Sequence, residues 1–280
     1  MRHIDKEAFT ETVAALCIKA CTCLPEDVYD ALLAAREREA EGSLARCVLE
    51  ELAENARIAA EEGVPVCQDT GLAIVFLEIG REAVLDFDIR DAVCEGVRRG
   101  YGDGYLRKSV AKHPLCRENT GDNTPPVVHM SLTEGEHIKI TVAPKGGGSE
   151  NMSSVKVFPP AAGRQGVIDH VKECVRSAGA NPCPPIILGI GLGGTIEAAA
   201  LCSKKALLRR LGSENPVPED AALEQDILRE VNSLNIGPAG YGGRTTCLGV
   251  FVKSIPCHIA SLPVAVTFQC HAARHAEAVL

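Results

Sequence analysis

Thirteen cysteines lie in this chain, and their placement decides what chemistry it could do. Cys17, Cys21, Cys47, Cys94, Cys174 and Cys202 sit among Ala, Leu and Val in helical patterns, where a thiol serves as a small buried hydrophobe. Cys17 and Cys21 are four apart on one face and could hold a metal, although core packing is the simpler use. No Cys-x-x-Cys pair occurs, so zinc ribbons and thioredoxin-like redox sites lack their signature. Cys67, Cys183 and Cys270 differ, because each falls where a regular element starts or stops and a thiolate can project into a cleft. Three widely separated thiolates suit an iron–sulfur cubane with one iron left open, whereas electron-transfer clusters take four cysteines. An iron without a protein ligand can act as a Lewis acid on a substrate oxygen. On spacing alone, a structural role for these three thiols stays open beside the cluster.

The elements that must position these residues follow from periodicity and punctuation. Pro25-Glu26-Asp27 opens a helix that runs towards Gly42, with acids at the positive end of its dipole. Ser43 caps another, carrying Leu44, Val48, Leu52 and Ala56 at helical spacing. Leu72 to Ile79 is a β-rich apolar run directly after Cys67-Gln68-Asp69-Thr70-Gly71. Asp88 to Arg99 reads as a helix, and a polar loop from Gly100 to Thr124 is too long for a plain connector. The segments 127–132 and 137–142 flank Thr133-Glu134-Gly135-Glu136, a hairpin signal. Helices are expected at 163–178, 195–211 and 218–234, and strands at 186–190, 248–252 and 262–268. Helices and strands mix without strict alternation, which predicts an α/β fold with a mixed sheet, flanking helices and a helical N-terminal region. No repeat or linker divides the chain, so residues 1–280 are expected to form a single catalytic domain.

Gly189-Ile190-Gly191-Leu192-Gly193-Gly194 satisfies G-x-G-x-x-G between an expected strand and helix. A dinucleotide site would need an acid some 20 residues on. That region holds Leu207-Leu208-Arg209-Arg210-Leu211, and no βαβαβ pattern surrounds it. Two other readings remain: tight packing of a helix on a strand, or anion binding at a helix N-terminus.

Composition narrows the partners. The 280 residues are 46% hydrophobic and 24% charged, which suits a globular core and excludes disordered and fibrous classes. A net charge of −8 disfavours nucleic acid, and the absence of Trp disfavours base-stacking platforms. The N-terminus turns acidic before any apolar stretch, and no apolar run approaches the about 18 residues of a membrane span. An odd number of cysteines without a leader pattern points to reduced thiols and a cytoplasmic location.

Five motifs taken jointly, in this order, resemble the class I iron–sulfur fumarate hydratases and L-tartrate dehydratases. They are Cys67-Gln68-Asp69-Thr70-Gly71, Asn119-Thr120-Gly121-Asp122-Asn123, Lys145-Gly146-Gly147-Gly148-Ser149, Ala180-Asn181-Pro182-Cys183-Pro184-Pro185, and His258-Ile259-Ala260-Ser261-Leu262-Pro263-Val264 with Cys270. The resemblance implies the cluster-binding domain of these hydro-lyases and a [4Fe-4S] cluster on Cys67, Cys183 and Cys270, with one open iron. It implies Asp69 and His258 as catalytic groups. It also implies Gln68, Arg107 and the loop glycines Gly146, Gly147 and Gly148 as contacts to a C4 dicarboxylate. Taken singly, Asp69 would be a turn residue, His258 a satisfied surface group and Arg107 part of a solvated loop. His113, His129, His137, His271 and His275 are read as structural or surface groups.

Single-chain members of the family continue into a second domain, whereas this sequence stops ten residues past Cys270. The resemblance therefore implies an α subunit working with a separate β subunit, in an α2β2 or similar oligomer. Lys145 to Asn151 is more similar to fumarases than to tartrate dehydratases, so fumarate hydration is the expected reaction. L-tartrate or a related diacid is the alternative. An iron–sulfur electron carrier is the competing non-enzymatic class, and three ligands with a carboxylate-binding Arg argue against it.

Overall fold

Leu72–Gly80 is nine residues of nearly unbroken apolar character, and the fold uses it as a central strand. In chain order the strands are β1 (Arg2–His3), β2 (Leu72–Gly80), β3 (Ala83–Val84), β4 (Val127–Thr133), β5 (Ile138–Lys145), β6 (Ser154–Phe158), β7 (Ile186–Gly194), β8 (Cys247–Cys257), β9 (Leu262–Gln269) and β10 (Ala276–Val279). The helices are α1 (Lys6–Thr22), α2 (Glu26–Arg38), α3 (Leu44–Glu62), α4 (Ile89–Asp103), α5 (Gly147–Glu150), α6 (Gly163–Ala178), α7 (Ile196–Ala206) and α8 (Pro218–Asn232). The computed structural model describes all residues from 1 to 280. They form two compact units, each with its own core and its own mixed sheet. The fold class is thus α/β, as expected, but with two four-stranded sheets where the sequence suggested one.

The first unit comprises Met1–Pro25, Ala56–Gly147 and Arg274–Leu280. Its sheet has the order β10-β5-β2-β4, with β4 parallel to β2 and β5 antiparallel to it. The expected hairpin between β4 and β5 does not form, because β2 lies between them. The 133–136 turn instead closes over the end of β2: the Gly80 N–H donates to the His137 carbonyl at 2.8 Å, and the Arg81 N–H to the Thr133 carbonyl at 3.0 Å. An apolar strand gains more from two neighbours than from an edge position, which overrides the local turn signal. α1 packs on α4 and β5, and Phe9, Val13, Val75, Leu77, Val97 and Ile140 fill the core between them.

The stretch Lys6–Arg38 includes a window apolar enough, by length and composition, to cross a membrane, contrary to the sequence reading. It is broken after Thr22 into helices of 17 and 13 residues. Cys17 and Cys21 of α1 are fully buried in the first unit's core, as their helical spacing suggested.

The second unit comprises Glu26–Asn55 and Gly148–Ala273. Its sheet order is β6-β9-β7-β8, with β7 and β8 parallel and β9 antiparallel to both β7 and β6. α6 and α8 pack together, with Val171, Leu188, Ile190, Ile227, Val252 and Phe268 in the core. The glycines of the G-x-G-x-x-G segment lie in β7 and serve tight packing. A Cβ on Gly189 would stand 2.1 Å from the Ser203 carbonyl oxygen of α7, and one on Gly191 would stand 1.9 Å from that of Ala199. α7 presses backbone to backbone on the strand, which only glycine allows.

Candidate active site

Cys67-Gln68-Asp69-Thr70-Gly71 forms the loop between α3 and β2. Gly71 has φ +74°, and a Cβ there would meet the Lys145 backbone at 2.7 Å, so the loop can turn closely over the end of β5 only with glycine. The loop's carbonyls are tied to buried side chains. The Tyr101 hydroxyl donates to the Thr70 carbonyl at 2.8 Å and to that of Gly71 at 3.1 Å. Asn123, fully buried, donates from Nδ2 to the Gly71 carbonyl at 3.2 Å and accepts from the Ser109 N–H at 2.6 Å. The Thr70 hydroxyl donates to the Arg107 carbonyl at 2.9 Å. The long polar segment after α4 therefore braces the cysteine loop, and its Asn119–Asn123 motif supplies the buried latch.

Asp69 is the most constrained side chain of the loop. Its Oδ1 accepts from the Gly71 N–H at 3.1 Å and pairs with Arg107 Nη2 at 3.2 Å. Its Oδ2 accepts from the Gly147 N–H at 2.8 Å, and a Cβ on Gly146 would crowd that oxygen at 3.2 Å. The glycine loop read as a substrate contact thus also builds the seat of Asp69. Arg107 is about half exposed, with Nε 3.4 Å from the Ser109 hydroxyl, so its guanidinium can meet a carboxylate arriving from solvent. Cys67 Sγ accepts the Asp69 N–H at 3.4 Å and lies 3.4 Å from Oε1 of the exposed Gln68.

In the second unit, Cys183 and Cys270 flank one end of the sheet, just before β7 and just after β9. The His271 N–H donates to the Cys183 carbonyl at 3.2 Å, which draws the two cysteine segments together. Cys183 is exposed and holds φ +53°, a left-handed conformation uncommon outside glycine, and such strain gathers at functional positions. Gly148 lies beside the same segment, where a Cβ would be 3.4 Å from the Asn181 carbonyl.

The structure does not bring His258 to these cysteines within the unit. His258 follows β8 at the other end of the sheet, where Gly194 pairs with Cys257, whereas Ile187 pairs with Gln269 at the cysteine end. Seven strand residues separate the two ends, about 23 Å at the usual rise. His258 Nδ1 accepts the Ala260 N–H at 3.1 Å, and the ring lines a surface cavity of ≈ 540 Å³ with Arg164, Leu192 and Ser261.

The thirteen cysteines form no disulfide and sort by environment. Burial pushes the Cys17 thiol far up, Cys21 up to about 11 and Cys247 up to about 12, and it raises Cys94 and Cys174 as well. Iron takes thiolates, so these five are poor ligands. Cys67, Cys183 and Cys270 instead reach the surface at element ends, and Cys67 already receives an N–H on sulfur. No three His, Cys, Asp or Glu side chains converge as they would on a single ion. The donor chemistry of these three thiols fits an iron–sulfur group, in which separate irons take separate thiolates.

Tyr101, Asn123 and Arg274 were not singled out from the sequence. Burial, the largest influence on it, holds the Tyr101 phenol far above its usual pKa, so it stays a neutral donor. Only Asn123 lies in a recognisable motif. The others act on backbone carbonyls distant in sequence, which no spacing rule reveals.

Relatives of known name align over nearly the whole chain. The sequence is 42% identical over 274 residues to the "Putative L(+)-tartrate dehydratase subunit alpha" of Methanocaldococcus jannaschii, with 95% of each chain covered. It is 31% identical over 268 residues to the L(+)-tartrate dehydratase subunit alpha of Escherichia coli strain K12, covering 95% of this chain and 88% of that one. The Shigella boydii protein of the same name matches to the same extent. The family pattern described as fumarate hydratase (fumerase) matches residues 10–279, and the chain accordingly belongs to the fumarate hydratase family and is a hydro-lyase.

Proposed function

We propose that this chain is the α subunit of an iron–sulfur hydro-lyase for C4 dicarboxylates, with fumarate hydration to L-malate as its reaction. Both units together serve as one catalytic domain, with Cys67, Cys183 and Cys270 as ligands of a [4Fe-4S] cluster. The observation that carries the reading is the Asp69–Arg107 pair beside Cys67: a carboxylate fixed by two backbone N–H groups faces a half-exposed guanidinium. A cluster held there with one iron free of protein ligand supplies Lewis acidity toward a substrate oxygen. Arg107 binds one substrate carboxylate through its planar fork, exchanging its bond to Asp69 for the new partner. Asp69 accepts the proton of the adding water, and its seat of N–H donors keeps it aimed while that proton moves. Gln68 and the backbone at Gly146 to Gly148 line the substrate.

Hydration forms one C–O bond and one C–H bond, and the C–H proton needs its own donor on the opposite face. Within the second unit His258 lies at the opposite end of the sheet from Cys183 and Cys270, so no step is assigned to it. The relatives are named as α subunits, and on that ground a β subunit is proposed to supply the missing donor and a second carboxylate site. Those same names favour L-tartrate dehydration as a second reading.

The experiment is an anaerobic hydro-lyase assay of the reconstituted protein with its co-purifying subunit, on fumarate and L-tartrate in parallel. Turnover of fumarate with lesser turnover of tartrate supports the reading, and the reverse replaces fumarate by tartrate. Turnover of neither, with an intact cluster and both subunits present, refutes it.

A further inference from the structure

Arg274 is 3% exposed, yet its guanidinium is poorly matched. Its Nη2 donates to the Asp69 carbonyl, while Nε and Nη1, also buried, meet no acceptor in the chain. A buried cation without matching acceptors is costly, so a protein keeps one where an anion or a strained segment requires it. The surroundings name the segment. Tyr101 and Cys21 lie within the electrostatic reach of Arg274, whose charge opposes the upward push of burial on the Cys21 thiol and the Tyr101 phenol. Cys21, Tyr101 and Asn123 bind the loop at Thr70 and Gly71, and Arg274 binds it at Asp69. Of these four braces only Arg274 carries a charge, and it touches the peptide of the residue that pairs with Arg107.

We propose that Arg274 is a positioning residue for the reaction: its guanidinium pins the Asp69 peptide, and its unmatched charge offsets the anions that gather at the Cys67–Asp69 loop. The inference rests on the cluster and dicarboxylate reading above. Thiolate-ligated iron, the Asp69 carboxylate and a dianionic substrate would put several negative charges at one loop, and the exposed Arg107 answers only part of them. Arg274 acts through the peptide and through its field, without touching substrate.

The test uses the reconstituted complex and, separately, the metal-free full chain. Arg274→Gln keeps a donor for the Asp69 carbonyl and discards the charge. It is expected to lower kcat by about 10–100-fold, the range typical of supporting groups around a metal site, with KM changing less than kcat. It should also move the cluster midpoint potential to more negative values, because the reduced cluster carries one more negative charge. Arg274→Lys restores the charge and should recover most of both quantities. In the metal-free chain, Arg274→Ala should speed hydrogen exchange of the Asp69 and Gly71 amides while leaving β2 unchanged. A folded Gln variant with wild-type kcat and potential overturns the proposal, as does wild-type exchange in the Ala variant. If Gln fails to fold, a Lys variant whose potential is displaced from wild type overturns the charge role. A wild-type protein that binds no cluster, with the exchange result intact, refutes the ligand assignment while the pinning role of Arg274 stands.

Discussion

Asp69→Asn separates proton transfer from packing, and its consequences can be worked from the geometry. Both carboxylate oxygens accept backbone N–H groups, Gly71 on one side and Gly147 on the other. An amide has one carbonyl oxygen, so whichever way it flips, its NH2 faces a donor and one backbone bond is lost. A lost bond with an unsatisfied donor costs about 1–3 kcal/mol. The melting temperature should fall by about 2–4 °C for each kcal/mol, and the chain should stay folded. Losing a general acid–base group costs about 10²–10⁴-fold in kcat, well beyond what a destabilisation of that size removes from the folded population. KM should move the opposite way from the usual active-site mutant. Arg107 loses its competitor at 3.2 Å and is released for the substrate carboxylate. An exposed pair of this kind is worth about 0.2–1 kcal/mol, so KM should fall by no more than about fivefold. The assay is anaerobic steady-state kinetics of the complex with iron and sulfide measured on the same sample. A kcat within about tenfold of wild type, with the cluster intact, would show that proton transfer lies elsewhere.

Cys67→Ser, Cys183→Ser and Cys270→Ser should each lose iron and sulfide, whereas Cys17→Ser and Cys94→Ser should retain them; full retention in any of the first three removes it from the ligand set. The chain with an intact cluster but no β subunit should hydrate fumarate negligibly, and activity within a few fold of the complex would end the two-subunit model. Burial alone would raise the Asp122 pKa, but hydrogen bonds from the Thr124 N–H and hydroxyl and from Arg98 outweigh it and hold it down to about 2. A depressed folded pKa stabilises above the ordinary aspartate value and is lost as pH falls towards 2, so melting of the wild type should drop more steeply than that of Asp122→Asn over that acid range. Gly191→Ala should lower the urea midpoint through a loss of about 1–3 kcal/mol in stability, since its Cβ would stand 1.9 Å from the Ala199 carbonyl. Gly102→Ala, in α4 with open space around it, should raise stability by about 1 kcal/mol, and equal midpoints for the two would contradict the packing argument.

Elements governed by local chemistry were readable from the sequence. Asp88 caps α4 and Ser43 accepts the Arg46 N–H at the start of α3, as their residue types suggest. The hairpin failed because β-pairing is non-local: β2 outbids a good turn for both neighbours, and no window around residues 127–142 contains β2. The site divides in the same way. Cys67-Gln68-Asp69 and Lys145 to Ser149 are contiguous motifs, and their meeting at Asp69 was not legible although each half was. His258 shows the converse, since twelve residues from Cys270 in sequence becomes the length of an eight-residue strand in space. Arg274 left no signal at all, because its partner is a carbonyl 205 positions away.

The first unit takes its last strand, β10, and Arg274 from residues 274–280. On the ribosome the loop of Cys67 therefore emerges long before its rear support, and Cys183 and Cys270 are both synthesised in the interval. The loop gains its Arg274 contact only after every candidate thiolate has been synthesised. If the proposed cluster is held by these three cysteines, iron meeting the nascent chain earlier would find Cys67 without the Arg274 contact behind its loop, and chain order would favour capture after the ligand set is complete.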